Sequence, residues 1–166
     1  MASHSVRWLA FCVSNSLTQT VVHFFPSTGV VTAPYAINCN LTLFGAGIEK
    51  KVVTLEGGRA SHPDGVRLEQ AFKELVEGSA GFFGLEVELF TLQPKIDISA
   101  SGCIVELFSR VNSVRYMPRR LPQEDGVRSG LHPALLLDDG LNTSSLLLIN
   151  GGQEPAIFEI SKAGGR

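Results

Sequence analysis

Long apolar runs, closely spaced cysteines and an excess of positive charge are all missing from this chain, and each absence removes a class of function. No stretch contains the roughly 18 consecutive apolar residues that span a bilayer, so no membrane insertion is expected. The apolar run from Trp8 to Val13 is shorter than a secretory signal core and has no small-residue cleavage site. Phe11 is too bulky beside Cys12 for a lipoprotein box, and the chain is read as unexported and cytoplasmic. The formal net charge of −2 argues against a nucleic-acid reader that works through bulk electrostatics. Zinc and redox sites favour close pairs such as C-x-x-C, but Cys12, Cys39 and Cys103 are far apart, each inside an apolar run. Three buried, reduced thiols are expected.

Catalytic signatures are missing too. The chain has no G-x-S-x-G elbow, no P-loop and no H-E-x-x-H. Gly45-Ala46-Gly47 lacks the third glycine and the following helix of a dinucleotide fingerprint and reads as a hairpin turn. His4, His23, His62 and His132 are scattered and never form the H-x-H of a metal-binding cupin. A metal site would need them to converge from distant positions. No metal or other cofactor is expected.

What the chain does contain is a succession of short β-branched and aromatic runs divided by Gly, Pro, Asn and Ser, the pattern of a sandwich or barrel. Candidate strands cover residues 7–13, 18–25, 35–44, 51–55, 85–92, 103–110, 113–117, 134–137, 145–149 and 156–160. Alternation is clearest in Leu85-Glu86-Val87-Glu88-Leu89, which sends the apolar residues to a core and the glutamates to water or a partner. Residues 134–137 and 146–149 are continuously apolar, as in a strand covered on both faces or lying in a subunit interface. One segment breaks the pattern. Leu68, Ala71, Phe72, Leu75 and Val76 recur at helical spacing, Glu69 and Lys73 form an i, i+4 pair, and Gly78 is placed to end the helix. A helix of about three turns over residues 67–77 is predicted, capping one open edge or end of the sheets.

With 166 residues, of which 44% are hydrophobic and 18% charged, the chain is long enough to bury its own core. The expected architecture is a single mainly β domain over residues 1–161, a two-layer antiparallel β-sandwich of jelly-roll or immunoglobulin-like kind with one short amphipathic helix. Residues 119–132 read as a loop, and residues 162–166 as a mobile tail. Residues 41–55 and 146–160 echo each other as strand, glycine turn and strand, with Leu41 matching Leu146 and Leu55 matching Ile160.

Two stretches carry a family resemblance. One is Ser145-Leu-Leu-Leu-Ile149-Asn150-Gly-Gly-Gln-Glu154-Pro155-Ala-Ile-Phe158; the other runs from Val52-Val-Thr-Leu55-Glu-Gly-Gly58-Arg59 to Gly84-Leu-Glu-Val-Glu-Leu89. Together they are similar to the β-sandwich of sensory-rhodopsin-transducer-like bacterial proteins. That resemblance implies a soluble, oligomeric, non-enzymatic sandwich. The Asn-Gly-Gly hairpin lies near the C-terminus here, whereas the family pattern has it early, and no functional residue of the family maps onto this sequence.

Two groups of residues are candidates for a site. Arg115, Tyr116, Arg119 and Arg120, with Arg110 close by, form the one basic concentration, and guanidinium groups bind carboxylate or phosphate in a bidentate manner. Asp138 and Asp139 close an apolar run and lead into Asn142-Thr143, where they either make an Asp-Gly turn or hold a ligand. The bland alternative for the arginines is a charged edge that resists aggregation. The preferred reading is a non-enzymatic binding or assembly module that self-associates and meets a protein partner or a small anionic ligand. A carbohydrate or small-molecule sandwich using Trp8, Tyr35 or Tyr116 as a stacking platform is the alternative, with an enzyme built on Asp138, Asp139 and His132 behind it.

Overall fold

Side-chain alternation decides which residues of each strand meet between the layers. The computed structural model describes residues 4–15, 17–27, 37–45, 48–56, 64–72, 81–93 and 95–121, all within the compact unit Met1–Asp125. The strands are β1 (His4–Ser14), β2 (Thr18–Phe25), β3 (Ile37–Gly45), β4 (Ile48–Leu55), β5 (Val66–Arg67), β6 (Gly81–Thr91), β7 (Gly102–Ser109), β8 (Ser113–Tyr116) and β9 (Arg119–Arg120). A single helical turn, α1 (Leu68–Ala71), lies between β5 and β6. The strands form two antiparallel sheets, ordered β4-β3-β6-β1-β9 and β5-β2-β7-β8. The expected two-layer sandwich is the observed fold.

In the first sheet the register stacks one row of apolar residues upon another. Trp8 faces Val87, which faces Leu41, and Ala10, Leu85 and Leu43 form the next row. The second sheet answers with Val22 and Phe24 of β2 and with Cys103 and Val105 of β7. Leu41, Leu85, Val87, Leu89, Val22 and Val105 are among the fully buried side chains. Each contributes roughly 1.5–3 kcal/mol of transfer free energy. Glu86 and Glu88 take the opposite face, as the alternation demands: Glu86 lies 3.7 Å from the Arg7 guanidinium, and Glu88 accepts a 2.9 Å hydrogen bond from Asn40. Gly84 lacks a side chain for a packing reason, since a methyl group there would overlap the ring of Phe44, its partner in β3.

Several elements differ from the sequence expectation. Among the described residues the helix is the single turn of α1. Val66 and Arg67 pair with Val22 and Val21 as β5, so helical geometry begins only at Leu68. Phe72 leaves it at φ −125° and ψ 61° while its N–H donates to the Leu68 carbonyl. That turn carries both Leu68 and Phe72 into the core. Arg119 and Arg120, expected to be loop, form β9, because the chain crosses to the first sheet after Tyr116 and finds the open edge of β1. β3 and β4 pair with a one-residue shift in register between Leu43 and Gly45. The expectations for Tyr35, for residues 73–77, and for everything beyond residue 121, including the second echo hairpin and the tail, lie outside the described residues.

All three cysteines are buried and free. Burial pushes the Cys12 and Cys103 thiols up to about 12 and raises that of Cys39 as well, so all three stay protonated at neutral pH. Because the thiolate is the reacting species, a thiol reagent should label the native protein roughly a hundredfold or more slowly than the unfolded chain. Stopped-flow labelling with and without denaturant reads this directly, and fast labelling of any cysteine in native protein would contradict the buried core.

Candidate functional site

Hydrogen-bonding side chains close the seam where the two sheets meet along β1, and a charged cluster lies on the opposite face of the second sheet. The odd-numbered residues of β1 turn their backbone groups away from β6, and four different partners take them up in succession. Leu121 N–H donates to the Arg7 carbonyl at 2.8 Å, and Leu9 lies in register with Arg119 of β9. Beyond that point β9 has ended, and two hydroxyls from the second sheet take its place. The Tyr116 hydroxyl accepts from Phe11 N–H at 3.0 Å and donates to the Phe11 carbonyl. The Thr20 hydroxyl accepts from Val13 N–H at 3.0 Å and donates to the Val13 carbonyl at 2.8 Å. Each hydroxyl, with one proton and free lone pairs, does for one residue what a neighbouring strand would do. The Tyr116 ring also stacks on Phe11, with centroids 4.7 Å apart and planes 9° from parallel. Burial raises the affinity of the phenol for its proton, which keeps it a donor.

Arg115, next in sequence to Tyr116, points the other way. It sits opposite Glu106 in β7, and its Nη2 is 3.2 Å from Glu106 Oε2. His23 Nε2 approaches the same oxygen at 2.8 Å from β2. The Glu106 side chain is only 10% exposed, whereas that of Arg115 is 65% exposed. Burial works against ionisation of Glu106. Hydrogen bonds from His23, Arg115 and Ser113, with the positive charge of Arg115, outweigh it and hold the carboxyl below its ordinary value. Gly65, at φ +73°, passes so close to this face that a methyl group would lie 2.8 Å from His23 Nδ1 and 2.7 Å from Val21 Cγ1. Its left-handed backbone sets the wall against which the imidazole packs.

The six sequence candidates are therefore distributed rather than gathered. Arg115 joins the Glu106 cluster. Tyr116 serves as a strut between the sheets. Arg119 is exposed on β9, and Arg120 donates to the Ser99 carbonyl at 2.7 Å. Asp138 and Asp139 lie outside the described residues. Of the proposed aromatic platform, Trp8 is 4% exposed in the core and Tyr116 is committed to Phe11, so neither offers an open ring face. Sequence reasoning missed Glu106, which looks like one more polar residue in an apolar strand, and Thr20. The available signal was a lone carboxylate in Cys103-Ile-Val-Glu106-Leu-Phe108, beside a histidine on the matching face of β2. Chemically, the cluster is a carboxylate saturated with donors, a weak base with one partly exposed guanidinium beside it. Among the described residues no group of three or more His, Cys, Asp or Glu side chains is placed to hold a metal ion, and no helix is long and apolar enough to cross a membrane. No family model, no curated protein and no solved structure matches the chain.

Two outcomes follow from this geometry. Tyr116→Phe keeps the ring stack but strips the hydroxyl from Phe11, and should cost about 1–3 kcal/mol in chemical denaturation; an unchanged midpoint would remove the strut. For Glu106, a folded-state pKa below the unfolded value means that its stabilisation is complete above the unfolded value, near 4.5, and is lost as pH falls through the lower folded value. Acid titration of thermal stability should therefore show a loss below that point which Glu106→Gln flattens, and parallel curves for the two proteins would refute the linkage.

Proposed function

We propose that this chain is a non-enzymatic binding or assembly module that self-associates through an apolar tip of its second sheet and meets protein partners. The observation that carries the proposal is the clustering of exposed apolar side chains at one end. Val111, in the turn between β7 and β8, is 86% exposed, and Phe108 just before it is 43% exposed. Thr18 is in register with Ser109, which brings Leu17, 70% exposed, beside the same turn. Turns ordinarily carry polar residues, and contiguous exposed apolar surface marks sites of association. Arg110 supplies the kind of residue enriched at interfaces. The partial resemblance to oligomeric transducer-like sandwiches agrees with this reading. The small anionic ligand finds less support, because Glu106 already occupies part of the Arg115 guanidinium.

Native mass spectrometry and light scattering on the full chain test the proposal. The protein should form a defined oligomer, and Leu17→Asp combined with Val111→Asp should weaken assembly by roughly tenfold or more with unchanged melting, since both positions are exposed. A monomer at high micromolar concentration, or an undiminished oligomer in the double variant, would overturn it. A retained small molecule would redirect the search to a ligand site.

A further inference from the structure

The outer edge of β8, beside that tip, has a different character among the described residues. β8 is last in the order β5-β2-β7-β8, and among the described residues no strand pairs with its outer side. Ser109 N–H donates to the Asn112 carbonyl at 2.8 Å, and the register runs on through Phe108 with Ser113, Leu107 with Val114, Glu106 with Arg115, and Val105 with Tyr116. Bonded and non-bonded pairs alternate along an antiparallel ladder. Asn112, Val114 and Tyr116 therefore turn their backbone groups toward β7, and Ser113 and Arg115 turn theirs outward. Outward-facing N–H and C=O groups on an edge are a template for one more strand.

The side chains along this edge specify what such a strand would be. Val114, on the face of Leu107, is 61% exposed because nothing described flanks it. Arg115 occupies the opposite face. From Glu106 to Leu121 the sequence has four arginines (Arg110, Arg115, Arg119 and Arg120) against one carboxylate, Glu106, which pairs with Arg115 and leaves the stretch with a net positive charge. Arg115 is the one of the four with an ion pair among the described residues. β9 brings Arg119 to the same side of the sandwich, because only Met117 and Pro118 separate it from β8 and Tyr116 reaches β1, the strand on which β9 lies. A second copy would present the same positive edge, and like charges directly opposite destabilise strand pairing. The edge thus selects against self-pairing and in favour of carboxylates.

We propose that β8 receives an extended protein segment alternating acidic and apolar residues, added as a further strand of the second sheet. Its backbone meets the outward groups of Ser113 and Arg115, its carboxylates lie beside Arg115 and within reach of Arg119, and its apolar residues lie against Val114. This rests on the binding-module reading but uses the edge rather than the tip.

The test is fluorescence anisotropy of the full chain with a labelled synthetic peptide alternating glutamate and valine. Binding should saturate below about a millimolar and weaken roughly tenfold on raising salt from low to physiological. A lysine-for-glutamate peptide, and a peptide N-methylated at alternate amides, should bind at least about tenfold more weakly. Arg115→Gln should lower affinity several-fold. Ser113→Pro should abolish binding while the protein still folds, because a proline whose nitrogen faces outward leaves the β7 ladder intact, and loss of the Ser113 hydroxyl beside Glu106 should lower the melting temperature only slightly. Should that variant fold poorly, the N-methylated peptide interrogates the same hydrogen bonds from the other partner. Absence of saturable binding, equal binding of the lysine peptide, undiminished binding of the N-methylated peptide, or preference for a single-stranded oligonucleotide over the peptide would each overturn the proposal. Oligomeric state tests the tip separately, so failure of one leaves the other standing.

Discussion

Two hydroxyl groups close the seam on which the rest of the sandwich depends. An edge strand inside a protein must find partners for every second backbone amide and carbonyl, since an unpaired buried group costs about 1–3 kcal/mol. β1 runs for eleven residues beside β6, but among the described residues its other flank is matched by β9 over only two. Tyr116 and Thr20 satisfy Phe11 and Val13 from the opposite sheet. The same contacts that complete the first sheet therefore fasten it to the second, and no buried side-chain nitrogen or oxygen lacks a partner among the described residues.

That arrangement governs the chemistry on both sides of β8. Alternation along Ser113–Tyr116 means that fixing the Tyr116 ring against Phe11 also fixes Arg115 on the outer face, over Glu106. Glu106 is held ionised in a nearly dry position by His23, Arg115 and Ser113, and a carboxylate so satisfied has little capacity left for acid–base work. Trp8, the largest aromatic residue, is packed in the core between the layers, 4% exposed.

The surface divides in physical character as a consequence. The tip near Val111 and Leu17 is apolar, whereas the edge of β8 and β9 combines open backbone groups with arginines. Positive charge on an edge ordinarily protects against aggregation. Here the protection and the proposed selectivity have one cause, since a charge that repels another copy of the edge attracts a strand of opposite sign.

Much of the fold was legible in the sequence. Leu85-Glu86-Val87-Glu88-Leu89 alternates with a period of two, and period alone decides which residues meet the core. Strands β1, β2, β3, β6 and β7 announce themselves in this way, and the three isolated cysteines behave as the buried apolar residues their neighbours suggested. Local pattern could not set where the described helical turn begins, because Leu68, Ala71 and Phe72 satisfy a helical period wherever its first residue lies. What sets its start is the pairing of Val66 and Arg67 with β2, a contact distant in sequence. The same limit applies to the site. Composition marked Arg115, Tyr116, Arg119 and Arg120 as a basic cluster, but adjacency in sequence does not say on which side of a strand, or in which sheet, a residue will lie. Strand period and apolar content determined that this chain makes two layers. Only the tertiary structure decided that Tyr116 belongs to Phe11, 105 residues away, and Arg115 to Glu106, because those partnerships depend on strand order and register, which no local pattern encodes.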